Sequence, residues 1–149
     1  MSLTDLIPTL QLAIGPVILI SGVGLILLSM TNRFGRIIDR SRILTDDLRR
    51  APRTARPKIL AQLKILASRA RTLRSAIALA AVSVLLAAIL IITLFVGALL
   101  QLGMAAIIVG LFIVCMLSII VSLLLFISDI RLSLKAFWLE IPPEARLGG

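Results

Sequence analysis

The stretch Ser75–Ser128, SAIALAAVSVLLAAILIITLFVGALLQLGMAAIIVGLFIVCMLSIIVSLLLFIS, contains no charged residue, and its reading decides the fold. A helix rises about 1.5 Å per residue, so roughly 20 apolar residues cross a hydrocarbon layer of about 30 Å. This stretch is more than twice that length and must turn back on itself. The turn is expected at Gln101, Leu102 and Gly103, where a polar side chain and a glycine interrupt the run. One spanning helix is therefore predicted over 75–100 and another over 104–128. Strands fit poorly, because a membrane barrel alternates polar and apolar positions, and SVLLAAILIITLF and IIVSLLLFI do not.

Upstream, a second uncharged stretch runs from Leu6 to Asn32, and a further span is predicted over 9–30. A secretory signal would begin with a positive segment. Here the first charge is Asp5 and no Lys or Arg precedes Arg33, so this segment reads as a retained span.

Composition agrees: 60% of residues are hydrophobic and 15% charged, with a mean hydropathy of +1.13. Such a chain cannot give a soluble globule a normal polar surface. Of its 16 Lys and Arg, 13 fall between Arg33 and Arg74, opposed there only by Asp39, Asp46 and Asp47. A basic segment of this kind can bind nucleic acid, but the positive-inside rule already accounts for cations flanking apolar spans, and no nucleic-acid partner is expected. The same rule places the segment and the C-terminus in the cytoplasm, with the N-terminus and the 101–103 turn outside. Arg131 and Lys135, following the last span, agree.

The basic segment is periodic. Phe34, Ile37, Ile38, Leu44 and Leu48 recur at helical spacing, as do Ile59, Leu60, Leu63, Leu66, Ala67, Ala70 and Leu73. Between them, Pro52 and Pro57 in RAPRTARP break the helix, with Thr54 or Arg56 near the cap and Pro57 suited to a first helical turn. Two antiparallel amphipathic helices are predicted, over 31–50 and 57–74, continuous with the first and second spans. This hairpin either projects into the cytoplasm or lies on anionic headgroups. Apolar faces that can cover each other, and Asp46 and Asp47 three or four residues before Arg49 and Arg50, favour projection. The predicted fold is thus an all-α membrane protein, one domain over 1–149, with three transmembrane helices, a cytoplasmic amphipathic helical hairpin over 31–74 and a short tail over 129–149.

Residues able to carry chemistry are scarce. Histidine is absent, Cys115 is the single cysteine, and no carboxylates cluster, so no catalytic, metal or cofactor site is expected. Gly22 and Gly24 superficially match a nucleotide-binding pattern, but the third glycine is missing and the setting is a span. No ionisable group lies inside a span, where a coupled transporter would need one. Asp129 comes closest, at the end of the third span, and its expected partners are Arg131, Arg33, Arg36 or Arg74; alternatively it belongs to a cytoplasmic gate. With Asp39 and Arg40, these residues form the expected interfacial charge set.

Small residues mark expected helix contacts, within the subunit or with a second copy: Gly15, Gly22 and Ser29 in the first span, Ala76, Ala80, Ser83 and Ala87 in the second, and Ala106, Gly110, Ser118 and Ser122 in the third. Gly15 and Pro16 are an expected kink. Ser83, Thr93, Ser118 and Ser122 either bond to their own backbone carbonyls or line a polar pore between copies.

The run TNRFGRIIDRSRIL (31–44), directly after a glycine-rich span, resembles an uncharacterised family of small bacterial membrane proteins classed only as a domain of unknown function. The resemblance extends from Leu10 to Lys135 and includes RARTLRSAI and LLLFISDIRLSL; Arg33, Arg36, Asp39 and Arg40 match the family's exit from its first span, and Gly15 with Pro16 its opening. It implies a three-span bacterial inner-membrane protein and supplies no activity. Two functions stay open: a self-associating interaction module whose hairpin engages an acidic protein or anionic lipid, or a homo-oligomeric ion channel with Arg33, Arg36 and Arg40 at its mouth.

Overall fold

A computed structural model describes residues 3–140, with side-chain environments over 7–133. Three helices account for nearly all of it: α1 (Leu3–Arg50), α2 (Arg56–Leu100) and α3 (Ala105–Glu140). All three are long and apolar enough to cross a membrane. At about 1.5 Å per residue the 48 residues of α1 and the 45 of α2 each reach roughly 70 Å, more than twice a hydrocarbon thickness of about 30 Å. The helices expected over 31–50 and 57–74 are the far halves of α1 and α2, continuous with the first and second spans as the sequence reading has them. The third span likewise continues past Ser128 as helix, so the expected tail begins as α3; 141–149 lie outside the described residues.

The 51–55 connection is closed by the Ala55 amide, which donates to the Pro52 carbonyl at 3.0 Å. Ala55 caps α2 without a side-chain hydrogen bond, rather than Thr54 or Arg56, and Pro57 sits in the first turn, where its missing donor is harmless. α1 runs unbroken through Pro8 and Pro16.

The second turn falls where the uncharged run predicts it, but Gly103 is not the residue that makes it. Gln101 adopts the left-handed conformation, φ 52° and ψ 34°, and the Leu102 amide donates to the Gly97 carbonyl at 3.1 Å. No described glycine has positive φ. A side chain in this conformation crowds the following carbonyl by about 1–2 kcal/mol, which glycine avoids. Gln101→Gly is therefore expected to raise stability by about 1 kcal/mol. Equilibrium unfolding in mixed micelles measures this; a decrease would show that the amide side chain holds the turn.

α2 is the central helix. α1 packs along one side and α3 along the other, while α1 and α3 scarcely meet. Its buried positions, Leu73, Ala76, Ala80, Ser83, Ala87, Leu90 and Gly97, alternate by threes and fours before the last step, the spacing that keeps a seam facing a neighbouring helix. On α1 the buried line is Val23, Met30, Ile37 and Leu44, seven residues apart, with Ala13 and Thr9 beyond. Met30, Ile37, Leu73 and Ala76 form one core cluster, into which Phe34, Leu66 and Phe126 pack. Large apolar side chains such as Leu25, Ile92 and Leu124 face outward, an exposure that hydrocarbon tolerates and water would not.

Candidate functional site

Asp129 is 2% exposed although ionisable. Its Oδ2 accepts from Arg33 Nη1 on α1 at 3.3 Å, and its Oδ1 from Arg69 Nε on α2 at 3.1 Å. Arg33 also lies over the Phe126 ring, 5.6 Å from the centroid, within the range of a cation–π contact. One carboxylate on α3 thus engages both other helices, and through Arg33 it joins α3 to α1, two helices that otherwise scarcely touch. The level is fixed by the chain: Arg33 follows Met30, Asp129 follows Ser128 and Arg69 precedes Ser75, so the clasp sits where the three apolar runs end.

Of the four expected partners only Arg33 bonds to Asp129. Arg36, Arg74 and Arg131 are exposed, as are Asp39 and Arg40. Arg69, absent from the expected charge set, takes the second place because of the α2–α3 register. Ser122 Oγ donates to the Ala76 carbonyl at 2.7 Å, Ser118 Oγ to the Leu79 carbonyl at 2.8 Å, and Cys115 Sγ to the Ser83 carbonyl at 3.2 Å. Moving back seven residues on α3, from 129 to 122 to 115, advances seven on α2, from 69 to 76 to 83. Extending the Ala76–Ser83 stripe one heptad backwards would have reached Arg69.

The small residues separate into two groups. Ala76, Ala80, Ser83, Ala87, Ser118 and Ser122 are buried, whereas Gly15, Gly22, Ser29, Ala106 and Gly110 are exposed. A Cβ added at Gly15, Gly22 or Gly110 would meet nothing within 4 Å, so these positions do not pack helices within the subunit. The reason on α1 is phase. Successive residues sit about 100° apart around a helix, and burial follows Val23 and Met30, one residue beyond Gly22 and Ser29. The serines expected at helix contacts or in a pore divide as well. Ser83 and Thr93 bond to carbonyls of their own helix, those of Ala80 and Ile89. Ser118 and Ser122 donate their hydroxyls across the α2–α3 seam, and Ser83, Ser118 and Ser122 are buried within the subunit.

Beside the clasp is a cleft of about 250 Å³ lined by Arg33, Arg36, Arg40 and Ile37 of α1, Leu66 and Arg69 of α2, and Ser133 of α3. At the other end of the bundle Gly15 and Pro16 line an apolar cleft of about 350 Å³ with Leu12, Leu90, Leu94 and Phe112. Among the described residues the arginine cleft offers guanidinium donors, positive charge and the Ser133 hydroxyl.

The profile of the family described as Protein of unknown function (DUF2721) matches residues 13–139. The chain belongs to the DUF2721 family. The match takes in α1 from residue 13, all of α2, α3 to residue 139, both turns and every residue of the clasp. No curated protein and no solved structure matches the chain.

Proposed function

We propose that this DUF2721 member is a non-enzymatic, self-associating protein of the bacterial inner membrane that presents a basic cytoplasmic arm to an anionic partner, either an acidic protein or anionic headgroups. The supporting observation is continuity: the halves of α1 and α2 that carry 13 cations extend without a break from apolar spans. Residues 31–50 add about 30 Å of helix beyond Met30 at about 1.5 Å per residue. Arg36, Arg40, Arg42, Arg49, Lys64 and Arg71 on this arm are exposed. The clasp at Asp129 fixes the arm's base to α3, so a load on the arm is felt by the whole bundle. Orientation rests on the density of Lys and Arg in the arm against none in the 101–104 turn.

Self-association is supported by the surface left over within one subunit. Gly22 and Ser29 form an outward pair of small residues on α1, and Ala106 and Gly110 another on α3, the kind of surface that lets helices approach closely in lipid.

Native mass spectrometry of the full chain released from detergent is expected to show a homo-oligomer, and planar bilayers containing it are expected to stay electrically silent. A strict monomer would remove the self-association. Reproducible unitary currents altered by Arg36→Glu would replace the module with an ion channel.

A further inference from the structure

The arginine cleft carries more positive charge than the clasp consumes. Four guanidinium groups, those of Arg33, Arg36, Arg40 and Arg69, line it, and Asp129 is the one carboxylate bonded to any of them among the described residues. Each guanidinium has five N–H donors. Arg33 and Arg69 each give one to Asp129, and Arg36 and Arg40 have no ion-pair partner among the described residues. Asp39, next to Arg40 in the chain, does not line the cleft.

The arrangement is built rather than incidental. Arg33, Arg36 and Arg40 are three and four residues apart and share one face of α1. Asp129 draws Arg33 and Arg69 together from two helices, so their remaining donors converge on the cleft without the entropic cost of collecting them. All four cations are arginine, whose planar fork matches the oxygens of a phosphate, whereas Lys58 and Lys64 lie elsewhere on the arm. Ile37, Leu66 and the Ser133 hydroxyl complete the lining, so the cleft combines apolar contact with one further hydroxyl. The cleft lies at the ends of the apolar helix segments, the level at which a spanning helix of this length meets headgroups.

We infer that this cleft is a binding site for a phosphate oxyanion, supplied by the headgroup of an anionic phospholipid. The inference rests on the proposed basic arm meeting an anionic membrane face, and gives that attraction one address. Arg33 and Arg69 are the positioned donors, and Arg36 and Arg40 close on the phosphate from the open side.

The test uses the full chain in nanodiscs of equal phosphatidylglycerol and phosphatidylcholine, with retained lipid counted by native mass spectrometry. Phosphatidylglycerol is expected to be retained about tenfold over phosphatidylcholine, as charge-assisted hydrogen bonds of this kind allow. The preference should fall to parity in R36Q/R40Q, which alters exposed side chains with no ion pair to lose, and should persist in R50Q/R53Q, which removes the same charge from the tip of the arm. A separate arm follows the thermal unfolding of detergent-solubilised protein in inorganic phosphate against chloride of equal ionic strength. Stabilisation by phosphate that depends on Arg36 and Arg40, without lipid preference, would retain the oxyanion site and assign it a soluble ligand. Absence of any Arg36- and Arg40-dependent effect in both arms would overturn the site. Equal losses in R50Q/R53Q would also overturn it, leaving only the general attraction of the arm.

Discussion

Changing Arg33 and Arg69 together to glutamine is expected to destabilise the bundle by about 3–5 kcal/mol, the cost of breaking a buried pair from one side. The asymmetry of the clasp sets the direction. The Asp129 side chain is 0% exposed, while those of Arg33 and Arg69 are 29% and 16% exposed. Removing both arginines leaves a carboxylate with neither water nor a cation. Asp129→Asn leaves two guanidiniums that can turn toward water and an amide oxygen that still accepts a hydrogen bond, so its expected cost is only about 1–2 kcal/mol. The triple variant R33Q/R69Q/D129N should recover much of the loss, because the stranded charge is gone. Equilibrium unfolding in mixed micelles, followed by helicity, gives all three values. If D129N proved costlier than R33Q/R69Q, the carboxylate would not be the desolvated member.

The layout of the chain is largely legible in its sequence, because hydrocarbon sets a length and charge bounds it: two uncharged runs, the second long enough to need a turn at 101–103, and a break at Pro52–Pro57 all follow from the sequence. Side-chain phase was less legible. In water a buried face stands out against a polar one, but α3 is apolar on every side through 104–128 and periodicity has nothing to contrast. Small residues are the remaining signal: on α2 they mark the buried seam, whereas on α1 Gly22 and Ser29 lie on the exposed side, left to the proposed contact with a second copy. The α1–α2 seam sets large against small, with Met30 beside Ala76 in the core and Val23 and Ala80 lining one small space. Gly22 and Ser29 lie one residue out of that phase and point outward. The α2–α3 seam does set small against small, close enough for Ser118 and Ser122 to reach α2 carbonyls. Arg69 continues this seam as a polar residue, so a stripe of alanine and serine alone does not reveal it.

The same contrast makes Ala76→Leu the most disruptive single change expected in the apolar seam. Ala76 is 0% exposed. It clusters with Met30 of α1, and its carbonyl accepts the Ser122 hydroxyl of α3 at 2.7 Å. Additional carbons have no empty side to enter, so either α1 or α3 must move outward. Overpacking of this kind costs about 1–3 kcal/mol, and separation of α3 would add the interhelical hydrogen bond, about 0.6 kcal/mol in a membrane setting. Packing therefore outweighs the hydrogen bond, and Ser122→Ala should be the milder variant. Ala78 is the control: two residues away and exposed, it should accept leucine with almost no change, since lipid replaces lipid-facing methyl with lipid-facing isobutyl. Unfolding midpoints of the two leucine variants in mixed micelles decide the matter. Equal midpoints would mean that α2 does not run between the other two helices, and the register that brings Arg69 to Asp129 would go with it.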